Sequence, residues 1–495
     1  MLNKTFCIMT CAAVLAGGAV GCKVGPNYQA PRRAMPANWL PPTTAPTTQN
    51  ASIPVPAQAA DVARWWGNFN DPTLDSLVAR AIQSNLDLKQ AEARLLQARA
   101  QRGVVAAGLW PQGNVTGSYR RQGSDSKNVQ TTSGGVVRSS GGSHDLFQGG
   151  FDASWELDVF GGLRRDVEAA NADIRAAVED RRDVLVTLTS EVALNYIDLR
   201  GLQRQIFIAQ ENLKAQAYSA NLTHQRQRGG FVSGLDAANA DAQVATTRSQ
   251  IPVLQQQARQ TIYNIALLLG LEPAALVGEL ESTSAIPPTP AAVPIGLPSE
   301  LLRRRPDIRR AEERLHAATA RIGVATADLF PRFTLTGSLN SSGNQARDVP
   351  NWNNAFWSIG PGVSWPIFSA GSIRSRIGVS NAVQEQAAIT YEQAILIALR
   401  DVESALVAYA QEQQHHAALL EAEAANRKAL QLSQTLYTQG QTGFLDVLTA
   451  ERSLYSSQDA LAQSERTMAT NLVALYKALG GGWEAIDQPT TRPSS

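Results

Sequence analysis

The stretch Phe151-Asp152-Ala153-Ser154-Trp155-Glu156-Leu157-Asp158-Val159 decides how this chain is read. Its odd positions carry Phe151, Ala153, Trp155, Leu157 and Val159, and its even positions Asp152, Ser154, Glu156 and Asp158. Strict alternation is the signature of a strand with one apolar face. The strand runs directly into Phe160-Gly161-Gly162-Leu163-Arg164, and from Leu163 to about Arg226 there is no proline and one interior glycine, Gly201. At 1.5 Å per residue that segment predicts a helix roughly 95 Å long. Globular helices average about 11–12 residues. Its apolar positions Ile174, Val178, Leu185, Leu188, Val192, Tyr196, Leu199 and Ile206 are spaced by sums of three and four, a coiled-coil stripe.

The same plan occurs twice. Leu109-Trp110-Pro111 and Thr116-Gly117-Ser118 recur as Leu329-Phe330-Pro331 and Thr336-Gly337-Ser338, 220 residues later. Phe160 to Arg164 resembles Phe368 to Arg374, after which the offset settles at 210: Leu185, Val192 and Tyr196 map to Ile395, Val402 and Leu406, and Leu235-Asp236 to Leu445-Asp446. A constant offset through turn residues marks an internal duplication. The copies span 63–280 and 281–483. The first predicts strands at about 112–121 and 147–160 with a long helix over 163–226, the second strands at about 331–340 and 354–368 with a long helix over 373–437. Shorter helices are expected at about Leu74–Ala107, Asp236–Leu269, Pro306–Leu329 and Asp446–Leu479.

All four strands alternate. Trp357, Ile359, Val363, Trp365 and Ile367 are interleaved with Ser358, Gly360 and Ser364, and Phe333, Leu335 and Leu339 with Thr334, Thr336 and Ser338. Aromatics are 6% of the chain but crowd these strands and their ends. An apolar face with aromatic ends fits transmembrane barrel strands; a soluble β-sandwich with one wet face is the plain alternative. Four strands are too few for a membrane barrel, whose small limit is about eight. An open edge in lipid costs several kcal/mol per unpaired backbone group. If these strands span a membrane, several chains must share one barrel.

The composition agrees with this. The chain has 495 residues, 18% of them charged, with a net charge of +1, which argues against nucleic-acid binding by bulk charge. Mean hydropathy is −0.18, and beyond the N-terminus no apolar run approaches the length of a membrane helix. Lys4 and the apolar Phe6 to Val20 read as a signal peptide over 1–21. Ala19-Val20-Gly21 before Cys22 resembles a bacterial lipoprotein processing site, although Ala19 stands where leucine is usual. Cys22 would then be the only mature cysteine and carry lipid, and Lys23 after it favours sorting to the outer membrane. Residues 22–62 read as an acylated N-terminus and extended linker, and 484–495 as a disordered tail.

Taken together, Cys22-Lys23-Val24-Gly25-Pro26-Asn27-Tyr28, Trp65-Trp66 before Asp71-Pro72, Arg304-Arg305-Pro306-Asp307-Ile308 with Ala311-Glu312, and the two Phe-Gly-rich-Arg turns resemble the TolC-like outer-membrane efflux family. The likeness is to its lipoprotein branch, which serves resistance-nodulation-division pumps, and it covers essentially Cys22 to Trp483. It implies an α+β membrane protein: a homotrimer whose β-barrel, four strands per chain and twelve in all, continues into a long periplasmic α-helical barrel. It also implies docking to a periplasmic adaptor and an inner-membrane pump, and location in the outer membrane.

No Ser/His/Asp set, phosphate loop or metal cluster stands out, so neither an enzyme nor a metal or other cofactor is expected beyond covalent lipid on Cys22. Arg303-Arg304-Arg305 read as structural residues before a helix opening with Pro306. His415-His416 point to different helix faces and make a poor chelate. Glu156 and Asp158 share a strand face and are lumen candidates. The turns Gly229 to Asp236 and Gly440 to Asp446 are expected to be tight αα-hairpins far from the strands, where the resembling family has its closed aperture. There Asp236 and Asp446 are gate candidates as an acidic ring, with Tyr437, Phe444 and Leu445 as its apolar part. The expected function is a passive exit duct for small molecules. A type I secretion duct for polypeptides and a lipid-anchored coiled-coil scaffold without a pore are the alternatives.

Overall fold

The computed structural model describes residues 23–31, 35, 36, 39, 62–123, 129–132, 135–138, 143–289 and 298–484. Cys22, most of the linker and residues 485–495 lie outside them. The chain divides into two compact units: Met1–Pro31 with Leu96–Ala176 and Glu312–Thr390, and Arg32–Leu95 with Ala177–Ala311 and Tyr391–Ser495.

The first unit is built on an antiparallel sheet of β1 (Gln112–Gly123), β4 (Ser143–Leu157), β5 (Arg332–Gly343) and β6 (Ala355–Ser364), in that order. A small hairpin, β2 (Val129–Thr132) and β3 (Gly135–Arg138), lies between β1 and β4 in sequence. β4 pairs with β5, so the copies meet at the centre of the sheet, Phe151 facing Leu339 and Trp155 facing Leu335. Both copies anchor the sheet alike. Trp155 Nε1 donates to Leu109 O at 2.9 Å, and Trp365 Nε1 to Leu329 O at 3.0 Å. The repeated Leu-aromatic-Pro motif thus offers its leucine carbonyl to a tryptophan at the strand end.

Two 67-residue helices, α3 (Gly162–Arg228) and α6 (Ser372–Thr438), follow the sheet strands of each copy. The sheet strands end earlier than the alternation suggests, at Leu157 and Ser364 rather than 160 and 368. The helix α2 (Leu86–Ala107) is separate from α1 (Pro72–Ser84), where one helix was expected. Asn85 makes the break. Its ψ is 135°, its Oδ1 accepts from Leu88 N at 2.8 Å, and its Nδ2 donates to Leu268 O at 2.8 Å. An Asn at this place is an N-cap, satisfying a donor the new helix leaves open.

In the second unit α4 (Gly234–Leu268), the start of α5 (Pro306–Ala327) and α7 (Phe444–Ala478) pack with parts of α3 and α6. Its core stacks Trp65 on Tyr476, ring centroids 5.4 Å apart, among Phe69, Leu74, Leu77, Tyr196, Ile265 and Leu472. Asp71 caps α1 through Thr73 N and Leu74 N and accepts from Tyr196 Oη at 2.7 Å. Arg305 has the structural role its sequence context suggests. It donates to both Asp307 oxygens at 3.0 and 2.7 Å and to Ala478 O at 2.9 Å, and pairs with Asp401 at 3.4 Å. Burial opposes its charge, but the two carboxylates outweigh that and raise its pKa. His415 Nδ1 lies 3.1 Å from Glu412, its neighbour one turn back on α6.

Among the described residues no helix is long and apolar enough to cross a membrane, and no group of three or more His, Cys, Asp or Glu could hold a metal ion.

Candidate functional site: an amphipathic sheet and two hairpin tips

Residues directly opposite one another in a sheet share a face. The register therefore sorts the side chains. One face holds Val115, Phe151, Leu339 and Trp357 in one row, Tyr119 and Phe147 in another, and Trp155, Leu335 and Pro361 in a third. Val115, Trp357, Ile359 and Val363 are more than 60% exposed in the single chain. The opposite face holds Asn114, Asp152, Ser338 and Ser358 in one row, and Glu156, Thr334 and Gly362 in another. Ser338 and Ser358 hydrogen-bond at 2.9 Å across it, and Thr116 donates to Asp152 at 3.4 Å. The apolar face is a solvent-exposed slab of aromatic and branched residues, an arrangement suited to lipid rather than water.

Glu156 lies on the polar face as the alternation requires. Asp158 does not. It falls beyond β4, its side chain only 12% exposed. Its carboxylate accepts from Leu163 N at 3.2 Å, Arg164 N at 2.9 Å and Arg164 Nε at 3.0 Å. It is a cap at the start of α3, where open backbone N–H groups and the helix dipole favour a carboxylate. Asp152 is the acidic residue that the sequence reading left out of its site, although its even position already put it on this face.

The tips form within the second unit. The α3–α4 turn has the full capping box: Ser233 Oγ accepts from Asp236 N at 3.3 Å, and Ser233 N donates back to Asp236 at 3.1 Å. In the α6–α7 turn the N-cap is Gly443, with no side-chain cap, and the Thr442 hydroxyl donates to the Asp446 carboxylate. Asp446 and Leu445 are exposed. Tyr437 and Phe444 are not: 4% and 3% exposed, their rings 5.9 Å apart, they sit in a small core with Ala220, Ala240, Val447 and Leu448. Arg226 clamps the two hairpins together. It donates to Tyr437 O at 2.6 Å, with its guanidinium 4.5 Å from the Tyr437 ring centre. Deeper in, Glu451 is 5% exposed and accepts from Ser219 Oγ at 2.5 Å; burial pushes its pKa up, and the Ser219 bond only partly offsets this.

Long paired helices joined to an amphipathic four-stranded sheet, all of it duplicated, define a class of protein: the chain belongs to the outer membrane efflux protein family, whose model matches residues 77–271 and 297–481. It is 38% identical over 440 residues to the pyoverdine export outer membrane protein OpmQ of Pseudomonas aeruginosa, covering 88% of this chain and 91% of that one. It is 31% identical over 476 residues to the toluene efflux pump outer membrane protein TtgF of Pseudomonas putida, covering 95% and 96%. The solved outer-membrane channel OprN superposes with a TM-score of 0.84 at 37% identity, covering 94% of this chain and all of that one. The protein is a TolC-like efflux channel of the outer membrane.

Proposed function

We propose that three copies of this chain close one twelve-stranded barrel, β6 of each pairing with β1 of the next, and that the assembly is a passive exit duct for small molecules. The observation that carries this reading is the sheet register, which gathers most of the large apolar side chains on one face and Asp152, Glu156 and most of the serines and threonines on the other, with Phe356 and Leu146 as exceptions on the polar face. Such a sheet is stable only with lipid on its apolar side and its outer strands paired. β1 and β6 each have one paired side within the chain. The polar face then lines the lumen, and Asp152 and Glu156 give it a cation preference. No catalytic step belongs to the duct. Selection of cargo rests with an inner-membrane pump of the resistance-nodulation-division type, reached through a periplasmic adaptor. OpmQ is named for pyoverdine export and TtgF for a toluene efflux pump, which supports small molecules as the cargo class.

At the tips, threefold repetition would turn Asp236, Asp446 and Leu445 into rings. Asp446 and Leu445, both exposed, are better suited to a constriction than Tyr437 and Phe444, which are spent on the hairpin core. Cys22 would carry the covalent lipid, with no other cofactor.

The test is a pair of charge insertions near the middle of the sheet. Phe151→Arg puts a cation on the lipid face at about 2–4 kcal/mol near the bilayer midplane, and should abolish membrane assembly. Ser338→Arg, on the other face, should assemble and lower cation preference in planar-bilayer conductance. Equal behaviour of the two variants would sink the assignment of faces.

A further inference from the structure

The chain between β5 and β6, residues 344–354, turns back over the apolar face of the sheet. Gly149 lies two residues from both Phe147 and Phe151, so a side chain there would point to their side. A Cβ on Gly149 would lie 2.8 Å from Val349 Cγ1, which places Val349 against that face. The loop is tied together internally. It carries two short 3-10 turns, Ala346–Asp348 and Trp352–Asn354. The Asp348 carboxylate accepts from Gln345 N at 3.1 Å, and the Asp348 carbonyl accepts from Asn351 N and from Asn354 Nδ2, both at 3.2 Å. Asn351 Oδ1 accepts from Asn353 N at 3.1 Å.

Beneath the loop is a cavity of about 190 Å³. Its floor is Gly149, Ser341 and Ala355, which face one another across β4, β5 and β6, with Leu339 beside them. Its walls are Val349, Pro350 and Trp352, and Trp352 is held 77% exposed at the edge. The lining is mostly apolar. Within it Ser341 Oγ is shut off from solvent and has no hydrogen-bond partner among the described residues. Buried hydroxyls are nearly always paired, so an unpaired one in an apolar cavity calls for an acceptor brought from outside.

The position along the strands points to the source. On the same face, the next row beyond the cavity floor holds Tyr119 and Phe147, their rings 4.8 Å apart. Phe147 and Trp155 are eight residues apart on β4, roughly 21 Å along the membrane normal for a strand tilted about 40°. A lipid-facing band is about 25 Å tall with an aromatic girdle at each rim. Tyr119 and Phe147 therefore mark the girdle opposite Trp155 and Trp365, and the cavity lies just inside it. This is the end of the strands remote from α3 and α6. With those helices on the periplasmic side, as the proposed duct has them, the cavity opens to the outer leaflet. Cations stand on its head-group side. Arg347 is exposed on the loop. Arg121, 66% exposed, lies one row past Tyr119 on the same face, 3.9 Å from Asp145, which already accepts from Tyr119 Oη at 3.0 Å.

We propose that the β5–β6 loop clasps an outer-leaflet lipid, a phosphorylated and acylated glycolipid. The cavity takes the ester-linked root of an acyl chain, Ser341 Oγ donates to its carbonyl, Trp352 covers it, and Arg347 and Arg121 serve the phosphates. This rests on the membrane-spanning reading of the sheet. That reading is decided by the Phe151→Arg and Ser338→Arg pair, which changes none of the cavity residues, so the lipid result is scored only on chains that assemble in the membrane. The probe is lipid A, titrated onto the delipidated full-length channel in detergent micelles and counted by native mass spectrometry. Ser341→Leu fills the cavity with apolar atoms, and Trp352→Ser removes a wall without touching the sheet. Each should weaken lipid A binding about fivefold or more, as expected for a lost hydrogen bond or apolar contact. Arg347→Gln should weaken lipid A binding about threefold and leave binding of its dephosphorylated form unchanged. Unchanged lipid A binding in both Ser341→Leu and Trp352→Ser would overturn the proposal. So would equal binding of lipid A and phosphatidylethanolamine by the parent, since any two-chain lipid would then serve.

Discussion

At the first hairpin tip Gly230 takes φ 76°, and Phe231 N reaches back to Arg226 O at 2.9 Å; at the second Gly440 takes φ 76°, and Gln441 N reaches Leu436 O at 2.9 Å. Both are the glycine-terminated helix end in which the residue after the glycine bonds five positions back. The side chains on these matching backbones diverge. The first tip closes its next helix with the Ser233–Asp236 box and leaves Phe231 81% exposed. The second starts its helix on Gly443 and turns Phe444 inward against Tyr437. Duplication kept what the turn demands, a residue free to adopt positive φ, and released what it does not. One tip is held by local hydrogen bonds, the other by burial.

That contrast is broken most severely at the aromatics. Phe444→Ala should cost about 3–5 kcal/mol of local stability, as for a phenylalanine removed from a packed core. Phe231→Ala should change stability by no more than about 0.5 kcal/mol. Proteolysis of the tip hairpins against denaturant measures both. Similar losses would mean that Phe231 is covered in the assembly, making the first tip a contact surface.

The sequence made the sheet legible because period two is unambiguous over four strands and a one-residue slip would reverse every face. The long helices were legible because nothing between their glycine-rich ends breaks them. What escaped did so for physical reasons. Leu74, Leu77, Val78, Ala81 and Leu88 keep a helical period straight through Asn85, so the apolar pattern hid a break that the N-cap residue announced. Asp158 continues the alternation after the ladder has stopped, and its role was decided by the backbone N–H groups of Leu163 and Arg164. Tyr437 and Phe444 looked free because they stand near a turn, while the groups that bury them, Ala220 and Arg226, lie more than 200 residues away in sequence.

A smaller effect separates the two aspartates. Asp236 completes a capping box, and removing a cap costs about 1 kcal/mol. Asp446 takes one hydroxyl and stands at a helix start where the dipole contributes a few tenths to about 1 kcal/mol. Asp236→Ala should therefore lower the thermal midpoint more than Asp446→Ala. Conductance should respond in the opposite order if exposed Asp446 contributes to an acidic ring: higher conductance and weaker cation preference than the parent. A fall in stability with no change in conductance for both would reduce the pair to helix starts.

The smallest effect is a dependence on pH, and it too is a contrast between copies. At the 210-residue offset, Glu451 corresponds to Asp241. Glu451 is buried against Ser219, whereas Asp241 is 60% exposed and meets His224 at 3.0 Å. Burial raises the Glu451 pKa in the folded chain, so folding favours its protonated form. The sign follows: below the ordinary carboxylate range the group is neutral whether folded or not and costs nothing. As pH rises from that range through the raised value, the folded chain must either hold a proton the unfolded chain has lost or bury a charge, and stability falls. Glu451→Gln keeps the shape and an acceptor for Ser219 without the charge. Its thermal midpoint should exceed the parent's at pH 7.5 and converge with it near pH 4. Asp241→Asn should show no such gain, because an exposed carboxylate gives up little hydration on folding. If Glu451→Gln is less stable than the parent at both pH values by the same amount, the carboxylate is held by something stronger than Ser219, and the buried charge is part of the tip's design rather than a burden on it.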